Sequence, residues 1–438
     1  MKKYIVNFTL LFLDFAFVIS FYFFVATIRE SLGETVLASL NRVIFSNFLV
    51  FSSIVMATLY YEKIYTLRYD FWEETKLTIK ALFLSFIIIL AIIMLGKASH
   101  EYSRLFFITY FLGLMIFLPI YRRVIKKALF KLSFFKKRIK IVGNEEQGDR
   151  LTEEFHKNWY LGYALVETNP DAIFIASKNS KIEVINRFLK KYSLSVKDIY
   201  LIPYMSSINF SQSEIIELFN IKTSVIKIEN NLLKKENLFL KELFEKIVVV
   251  LALPLFLLLH AIISYAIKRD SSGEIIFKQK RLGKNGIIFK CYKYRTMIVN
   301  SDNILIKYLK ENPDEIEYYS KYHKYKKDPR ITKVGNFLRK TSLDELPQLI
   351  NILKGEMGLI GPRPYMPKES SKISDSIDMI LRVKPGISGL WQVSGRSNLS
   401  FESRKNLDVW YIQNWSLWMD VVILLKTLKV VFIKTGAK

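Results

Sequence analysis

The chain has 438 residues, 51% of them hydrophobic, and carries a formal net charge of +25, so a single soluble domain is a poor expectation and two or three units a better one. Its one cysteine, Cys291, excludes a disulfide framework and a Cys-based zinc site, and four histidines are too few for a His-rich metal centre. The Lys and Arg excess runs along the whole chain and suits anionic partners such as acidic headgroups, phosphate esters or nucleic acid, without choosing among them.

Apolar runs at residues 4–28, 43–61, 77–96 and 105–121 each approach the ~20 residues needed to cross hydrocarbon, which predicts four transmembrane helices. The first lacks a small-residue cleavage site and reads as an uncleaved anchor. Lys2 and Lys3 precede it, and a basic run from Arg122 to Lys140 follows the fourth, so both flanks are expected in the cytoplasm. Asp14, inside the first run, reads first as an acid paired within the bundle and second as a functional carboxylate.

From residue 138 to 229, short apolar runs such as Ala172-Ile173-Phe174-Ile175 alternate with polar helical stretches, the pattern of a small parallel α/β domain. Its first turn, Gly143-Asn144-Glu145-Glu146-Gln147-Gly148, lacks the G-x-G-x-x-G spacing and puts two acids where a phosphate would sit. A degenerate nucleotide fold is expected. A fifth apolar run, 247–267, contains Pro254 and is basic on both sides. A helix broken at Pro254 could enter and leave by one leaflet, which predicts a re-entrant hairpin and a monotopic domain after it.

The remaining segment concentrates cations and turns. Arg281-Leu282-Gly283-Lys284-Asn285-Gly286 predicts a β-turn between short strands, and Arg281, Lys293 and Arg295 could clamp a diphosphate or form a solvated basic hairpin. Next come Asp328-Pro329-Arg330, then Arg339, and Ser342-Leu343-Asp344-Glu345-Leu346-Pro347-Gln348. Ser342 and Glu345 have capping-box spacing, which explains Glu345 but leaves Asp344 without a task. A helix starting at Leu343 would put Asp344 in its first turn, where a phosphoryl group formed on the carboxylate would be favoured. Glu345 is the first candidate for Mg²⁺, with Asp328 second. Arg330, Arg339 and Gln348 join the candidate substrate-binding residues.

In Gly361-Pro362-Arg363-Pro364 two prolines hold the chain around Arg363, and the block from Lys384 to Ser397, with Trp391 and Arg396, would close a nucleotide pocket or form a hydrophobic lid. Trp410, Tyr411, Trp415, Trp418 and the run 421–432 suit a helix in the headgroup layer, against the plainer reading of a core helix.

Taken in order, Arg281-x-Gly283-x-x-Gly286-x-x-Phe289, Lys293-Tyr294-Arg295-Thr296-Met297, Asp344-Glu345-Leu346-Pro347-Gln348, Gly361-Pro362-Arg363-Pro364 and residues 385–397 resemble the signatures of the polyprenol-phosphate hexose-1-phosphate transferases. The resemblance covers nearly the whole chain. It implies a membrane α-helical bundle of four transmembrane helices (1–122), a cytosolic α/β nucleotide-fold-like domain (138–229) and an α+β monotopic catalytic domain with a re-entrant helix (238–438). It further implies that Asp344 attacks the sugar-linked phosphate of a UDP-hexose of galactose or glucose type, that UMP leaves, and that undecaprenyl phosphate takes the phosphosugar. Glu345 would bind Mg²⁺, while Arg363, Arg396 and nearby cations would hold phosphates. A homodimer in the bacterial inner membrane, with its catalytic domain on the cytoplasmic face, follows from the same resemblance. Two departures stand out: Glu245 replaces the Asp expected before the re-entrant helix, and Leu253 precedes Pro254 where some relatives have Ser.

The chief rival reading is a non-catalytic, nucleotide-sensing membrane regulator of polysaccharide assembly, which intact Asp344, Glu345 and Arg363 oppose. No helix-turn-helix, zinc-finger or RNP pattern supports a nucleic-acid partner.

Overall fold

The computed structural model describes residues 2–31, 42–95, 103–193, 195–203, 213–218, 223–227, 231–299, 301–316, 328–395 and 399–433. The chain divides into two compact units, Met1–Tyr204 and Met205–Lys438.

The first unit opens with helices α1 (Lys2–Ser31), α2 (Arg42–Tyr61), α3 (Phe71–Leu95) and α4 (Arg104–Leu129). Even the shortest, at 20 residues, is about 30 Å long at ~1.5 Å per residue. Val18, Leu59, Leu82, Leu114 and Leu118 fill the space between the helices, while Phe8, Phe24, Phe83, Leu95 and Ile116 face outward and are more than half exposed. Helices apolar on both sides belong in lipid rather than water. Each predicted span is therefore a helix, and the last extends beyond its predicted end because Arg122 and Lys126 turn inward. Asp14 pairs with Arg122 and accepts from Tyr65 Oη at 2.9 Å. Arg122 Nε donates to Glu74 at 2.8 Å, Lys126 pairs with the other Glu74 oxygen, and Tyr160 Oη donates to Glu74 at 2.9 Å. Two acids and two bases cancel inside the bundle, as buried charge requires, so Asp14 takes its structural reading.

The same unit continues through β1 (Lys137–Gly143), α5 (Glu145–Lys157), β2 (Tyr163–Leu165), β3 (Ala172–Ala176), α6 (Ile182–Ser193) and β4 (Asp198–Ile202). The four strands form a parallel sheet ordered β2-β1-β3-β4, with every residue of β3 buried. Gly143 has φ 112°, and a Cβ there would lie 2.2 Å from Ala176 O, so only glycine fits the close strand approach. Asn144 caps α5 by accepting from Gln147 N, Gln147 Oε1 accepts from Lys178 N, and Glu146 pairs with Lys178. The turn that would cradle a phosphate is filled by the protein's own side chains, which fits the degenerate reading.

The parallel domain is expected to reach residue 229, but its sheet ends at β4. Strands β5 (Glu214–Leu218) and β6 (Thr223–Lys227), in the second unit, form an antiparallel hairpin instead. Four intervening residues are too few for a parallel crossover.

The second unit is built on α7 (Lys235–Asp270), 36 residues with Pro254 inside. The helix runs unbroken through Pro254, unlike the interruption expected, since a proline removes one hydrogen bond and long apolar helices accommodate it by bending. Both ends of α7 are fastened to the same unit. Near its start, Lys241 Nζ donates to Glu245 and Asp420, each at 2.7 Å, and to Ile360 O at 2.8 Å. At its end, Asp270 accepts from Val334 N at 2.9 Å, and Ser271 O accepts from Arg295.

Around α7 lie the antiparallel pair β7 (Ile276–Leu282) and β8 (Ile288–Tyr294), then α8 (Asp302–Glu311), α9 (Lys333–Thr341) and α10 (Gln348–Leu353). There follow β9 (Gly358–Ile360), α11 (Ile377–Ile380), β10 (Gly386–Ser388) parallel to β9, α12 (Leu390–Ser394), α13 (Phe401–Gln413) and α14 (Leu417–Ile433). Tyr411 and Trp415, two of the aromatics expected at the headgroup layer, are core residues. Tyr411 Oη donates to Asp420 Oδ1 at 2.7 Å and Trp415 Nε1 to Asp420 Oδ2 at 2.9 Å, because a fully buried carboxylate must find donors.

Candidate active site

The candidate catalytic stretch begins on α9. Thr332 caps it by accepting from Gly335 N at 2.9 Å. A Cβ on Gly335 would sit 2.1 Å from Thr296 O, so the glycine lets α9 lie directly on the end of β8's strand extension. That contact brings Arg339 Nε to Thr296 Oγ1 at 2.9 Å.

Ser342 does not begin a helix. It ends α9 in the left-handed region, φ 57° and ψ 17°, and its side chain caps nothing. The capping box is therefore absent, and Asp344 lies in a single 3₁₀ turn, Leu343–Glu345, before α10 starts at Gln348. Leu343 and Leu346 pack against the cluster of Tyr294, Leu338, Ile263 and Ile267, and this tertiary anchoring overrides the local capping pattern. The expected helix dipole at Asp344 is accordingly replaced by two side-chain cations.

Lys293 Nζ lies 2.6 Å from Glu345 Oε1. Burial and then the adjacent Glu345 push the Asp344 carboxyl up to about 6, while Lys293 and Arg339 pull the other way. Burial works to lower Lys293, but Glu345 and Asp344 hold it above its ordinary value. Next in β8, the Tyr294 hydroxyl and His260 Nδ1 of α7 are hydrogen-bonded at 2.8 Å.

Several predicted binding groups have other occupations. Arg295 is not a phosphate clamp: its guanidinium donates to Glu274 O, Ser271 Oγ, Ser272 O and Ser271 O, tying off the end of α7. The glycine turn does join β7 to β8 as predicted, but its N–H groups point inward: Gly283 N donates to Ile287 O, Asn285 N to Leu381 O and Gly286 N to Gly283 O. Arg330 grips Asp328 with two bonds, Nε to Oδ1 at 2.9 Å and Nη2 to Oδ2 at 2.7 Å. A divalent ion on Asp328 would face that guanidinium, so Asp328 does not fit as a metal ligand. Gln348 is buried at the start of α10, and Arg396 lies outside the described residues.

Arg281 Nη1 donates to Pro364 O at 2.9 Å and Nη2 to Gln279 Oε1 at 2.6 Å. Arg363 is fixed by its backbone as well as by its flanking prolines: its N donates to Asp408 Oδ2 at 3.1 Å, and Tyr365 Oη donates to the same oxygen at 2.9 Å. Sequence reasoning missed Asp408, together with Arg404 and Glu369. The spacing of Arg404 and Asp408, one turn apart on α13, was the available signal.

Among the described residues no group of three or more His, Cys, Asp or Glu is placed to hold a metal ion. Mg²⁺ needs only one or two protein carboxylates when phosphate oxygens and water complete its shell; Lys293 holds only Oε1 of Glu345, so Oε2, unlike either oxygen of Asp328, would be left for the ion.

A crowded carboxylate pair flanked by Lys293 and Arg339 has the charge to handle a phosphoryl group, and the comparisons with known proteins make the chain a phosphotransferase. Residues 236–434 match the family described as bacterial sugar transferase. The chain is 33% identical over 404 residues to an uncharacterized sugar transferase of Haemophilus influenzae, covering 85% of each chain. It is 32% identical over 406 residues to the undecaprenyl-phosphate galactose phosphotransferase of Salmonella typhimurium, covering 85% of this chain and 84% of that one. A UDP-galactose-lipid carrier transferase of Erwinia amylovora is also 32% identical, over 404 residues and the same shares. This chain belongs to the bacterial sugar transferase family, as a membrane transferase of polysaccharide biosynthesis.

Proposed function

We propose that the protein transfers hexose-1-phosphate, of galactose or glucose type, from a UDP-hexose to undecaprenyl phosphate, through an aspartyl phosphosugar intermediate on Asp344. The observation that carries this reading is the Asp344-Glu345 pair presented on one 3₁₀ turn, with Lys293 Nζ 2.6 Å from Glu345 and burial pushing the Asp344 carboxyl up to about 6. Such a group is ionised at neutral pH yet more basic than an ordinary aspartate, which suits a nucleophile. An Asp344 oxygen bonds to the sugar-linked phosphorus, the bond from phosphorus to the nucleotide phosphate breaks, and its electron pair leaves with UMP. An oxygen of the lipid phosphate then bonds to the same phosphorus and returns the electron pair to Asp344. Lys293 and Arg339 offset the phosphoryl charge in both steps. Mg²⁺, when bound on Glu345, neutralises diphosphate charge.

The test is UMP release from a panel of UDP-sugars by the detergent-purified protein with Mg²⁺. One sugar is expected to give a stoichiometric burst alone and sustained release with undecaprenyl phosphate. The rate should rise about tenfold per pH unit below about 6 and level off above it, because protonation silences the nucleophile. Silence across the panel overturns the proposal.

We also propose that α7 is re-entrant and the second unit monotopic, on the cytoplasmic face. Val250, Leu251, Leu255, Leu257, Leu258 and Ile262 are more than half exposed along its middle, as lipid contact requires, yet both its ends bond to one folded body. A full crossing would put the bilayer between those ends. In Ser272→Cys, an impermeant maleimide should label opened but not intact cells; labelling from outside sinks the re-entrant topology.

A further inference from the structure

Arg281, 3.9 Å from Glu369, lies chiefly in the field of one neighbourhood, that of Arg363 and Glu369, and only weakly in that of Glu345 and the carboxylate pair. In the first neighbourhood, Arg363 and Arg404 both stand over the Trp391 ring, their Cζ atoms 5.7 and 5.3 Å from its centroid. Three guanidiniums therefore converge where little negative charge answers them. Glu369 is 3.7 Å from Arg363 and 3.9 Å from Arg281, and one of its oxygens already accepts from Met366 N. Burial pushes Asp408, the other acid present, up to about 7, so at neutral pH it is ionised only in part.

The hydrogen-bond inventory among the described residues leans the same way, with three orphaned donors here against one orphaned acceptor, Asp408 Oδ1. The Nε groups of Arg281 and Arg363 and the indole Nε1 of Trp391 are buried with no acceptor among the described residues. Arg404 spends its Nε on Leu399 O at 3.1 Å. Buried donors without acceptors are rare in a finished fold and mark a site completed by something else. Surplus positive charge and orphaned donors together call for an anion rich in acceptor oxygens.

We propose that Arg281, Arg363 and Arg404, gathered about Trp391, hold the phosphate of the departing nucleoside monophosphate, with Arg404 a substrate-binding residue. This rests on the phosphosugar transfer proposed above. The sugar-linked phosphate lies with Lys293 and Arg339 at Asp344, and in-line displacement sends the leaving phosphate away from the attacking carboxylate. Arg281, beside Glu369 and weakly in the field of Glu345, stands where the two phosphates of the donor would part. The planar guanidiniums, held over the indole, offer stacking faces to a pyrimidine, which favours the nucleotide over the lipid as occupant.

The experiment titrates the purified, full-length protein with UMP, uridine and a short-chain polyprenyl phosphate, reading tryptophan fluorescence and calorimetric heat. In Arg404→Gln, UMP should bind about tenfold more weakly, the size expected for one charge-assisted contact. Uridine should bind weakly to both proteins, and lipid phosphate equally to both. Arg404→Lys, which keeps the charge, should recover part of the UMP affinity. A purely structural role for Arg404 would weaken both ligands together and lower the melting temperature. That result, unchanged UMP affinity, or a loss confined to lipid phosphate each overturns the assignment. Wild-type protein that binds UMP while the variants bind it equally defeats this inference alone. Wild-type protein that neither binds nor releases UMP defeats the transfer reading with it.

Discussion

Asp344→Asn is expected to leave the protein folded and membrane-bound but to lower UMP release by at least about 10³-fold, the scale of loss when a covalent nucleophile is removed. Asparagine keeps the shape of the side chain, so the 3₁₀ turn anchored by Leu343 and Leu346 has no reason to move. It also removes a charge that the fold disfavours. The folded Asp344 carboxyl titrates at about 6 against an ordinary value of 3.8, so its favourable contribution is complete below 3.8 and is lost as pH rises through 6. At neutral pH the neutral amide should leave the melting temperature unchanged or slightly raised. Mass spectrometry of wild-type protein incubated with donor alone should show the phosphosugar adduct, and the variant should show none. Turnover near the wild-type rate in Asp344→Asn ends the covalent mechanism.

Lys241→Met should cost about 3–5 kcal/mol, the penalty for leaving a buried ion pair half-made. Lys241 is the cation shared by Glu245 and Asp420, and all three are buried. Without it, among the described residues Glu245 keeps Ile360 N, and Asp420 keeps Tyr411 and Trp415. Two carboxylates then face each other without an intervening charge. Thermal unfolding in detergent measures the loss, and adding Asp420→Asn should recover part of it. An unshifted transition in Lys241→Met would show that the network contributes little.

Local rules made much of this molecule legible. Apolar runs of spanning length gave the first four helices, and Ala172-Ile173-Phe174-Ile175 announced a strand buried on both faces. Gly283 and Gly286 marked the β7–β8 turn, and Asp344 stood out because the capping reading left it without a task. What stayed hidden depends on partners far away in the chain. Ser342 and Glu345 have the spacing of a capping box, yet Leu343 and Leu346 are claimed by a cluster that includes Tyr294 and Ile263, and the helix never starts there. Arg295 resembles a phosphate clamp until the end of α7, some 24 residues earlier, takes its donors. Tyr411 and Trp415 look interfacial until Asp420 is found beneath them. Asp408 holds the backbone of Arg363, 45 residues before it, and no pattern within either segment names the other.

The bond between His260 and Tyr294 has a mechanical consequence. Tyr294 adjoins Lys293 in β8, and His260 belongs to the apolar helix, so the cation beside the candidate catalytic turn is pinned to the element proposed to seat in lipid. In the proposed topology the helix acts as a fixed stilt: it sets the elevation of the reactive carboxylate above the acyl chains. A lipid-borne phosphate can then reach the site by lateral diffusion alone, and encounters scale with its density in the leaflet rather than with any concentration in water.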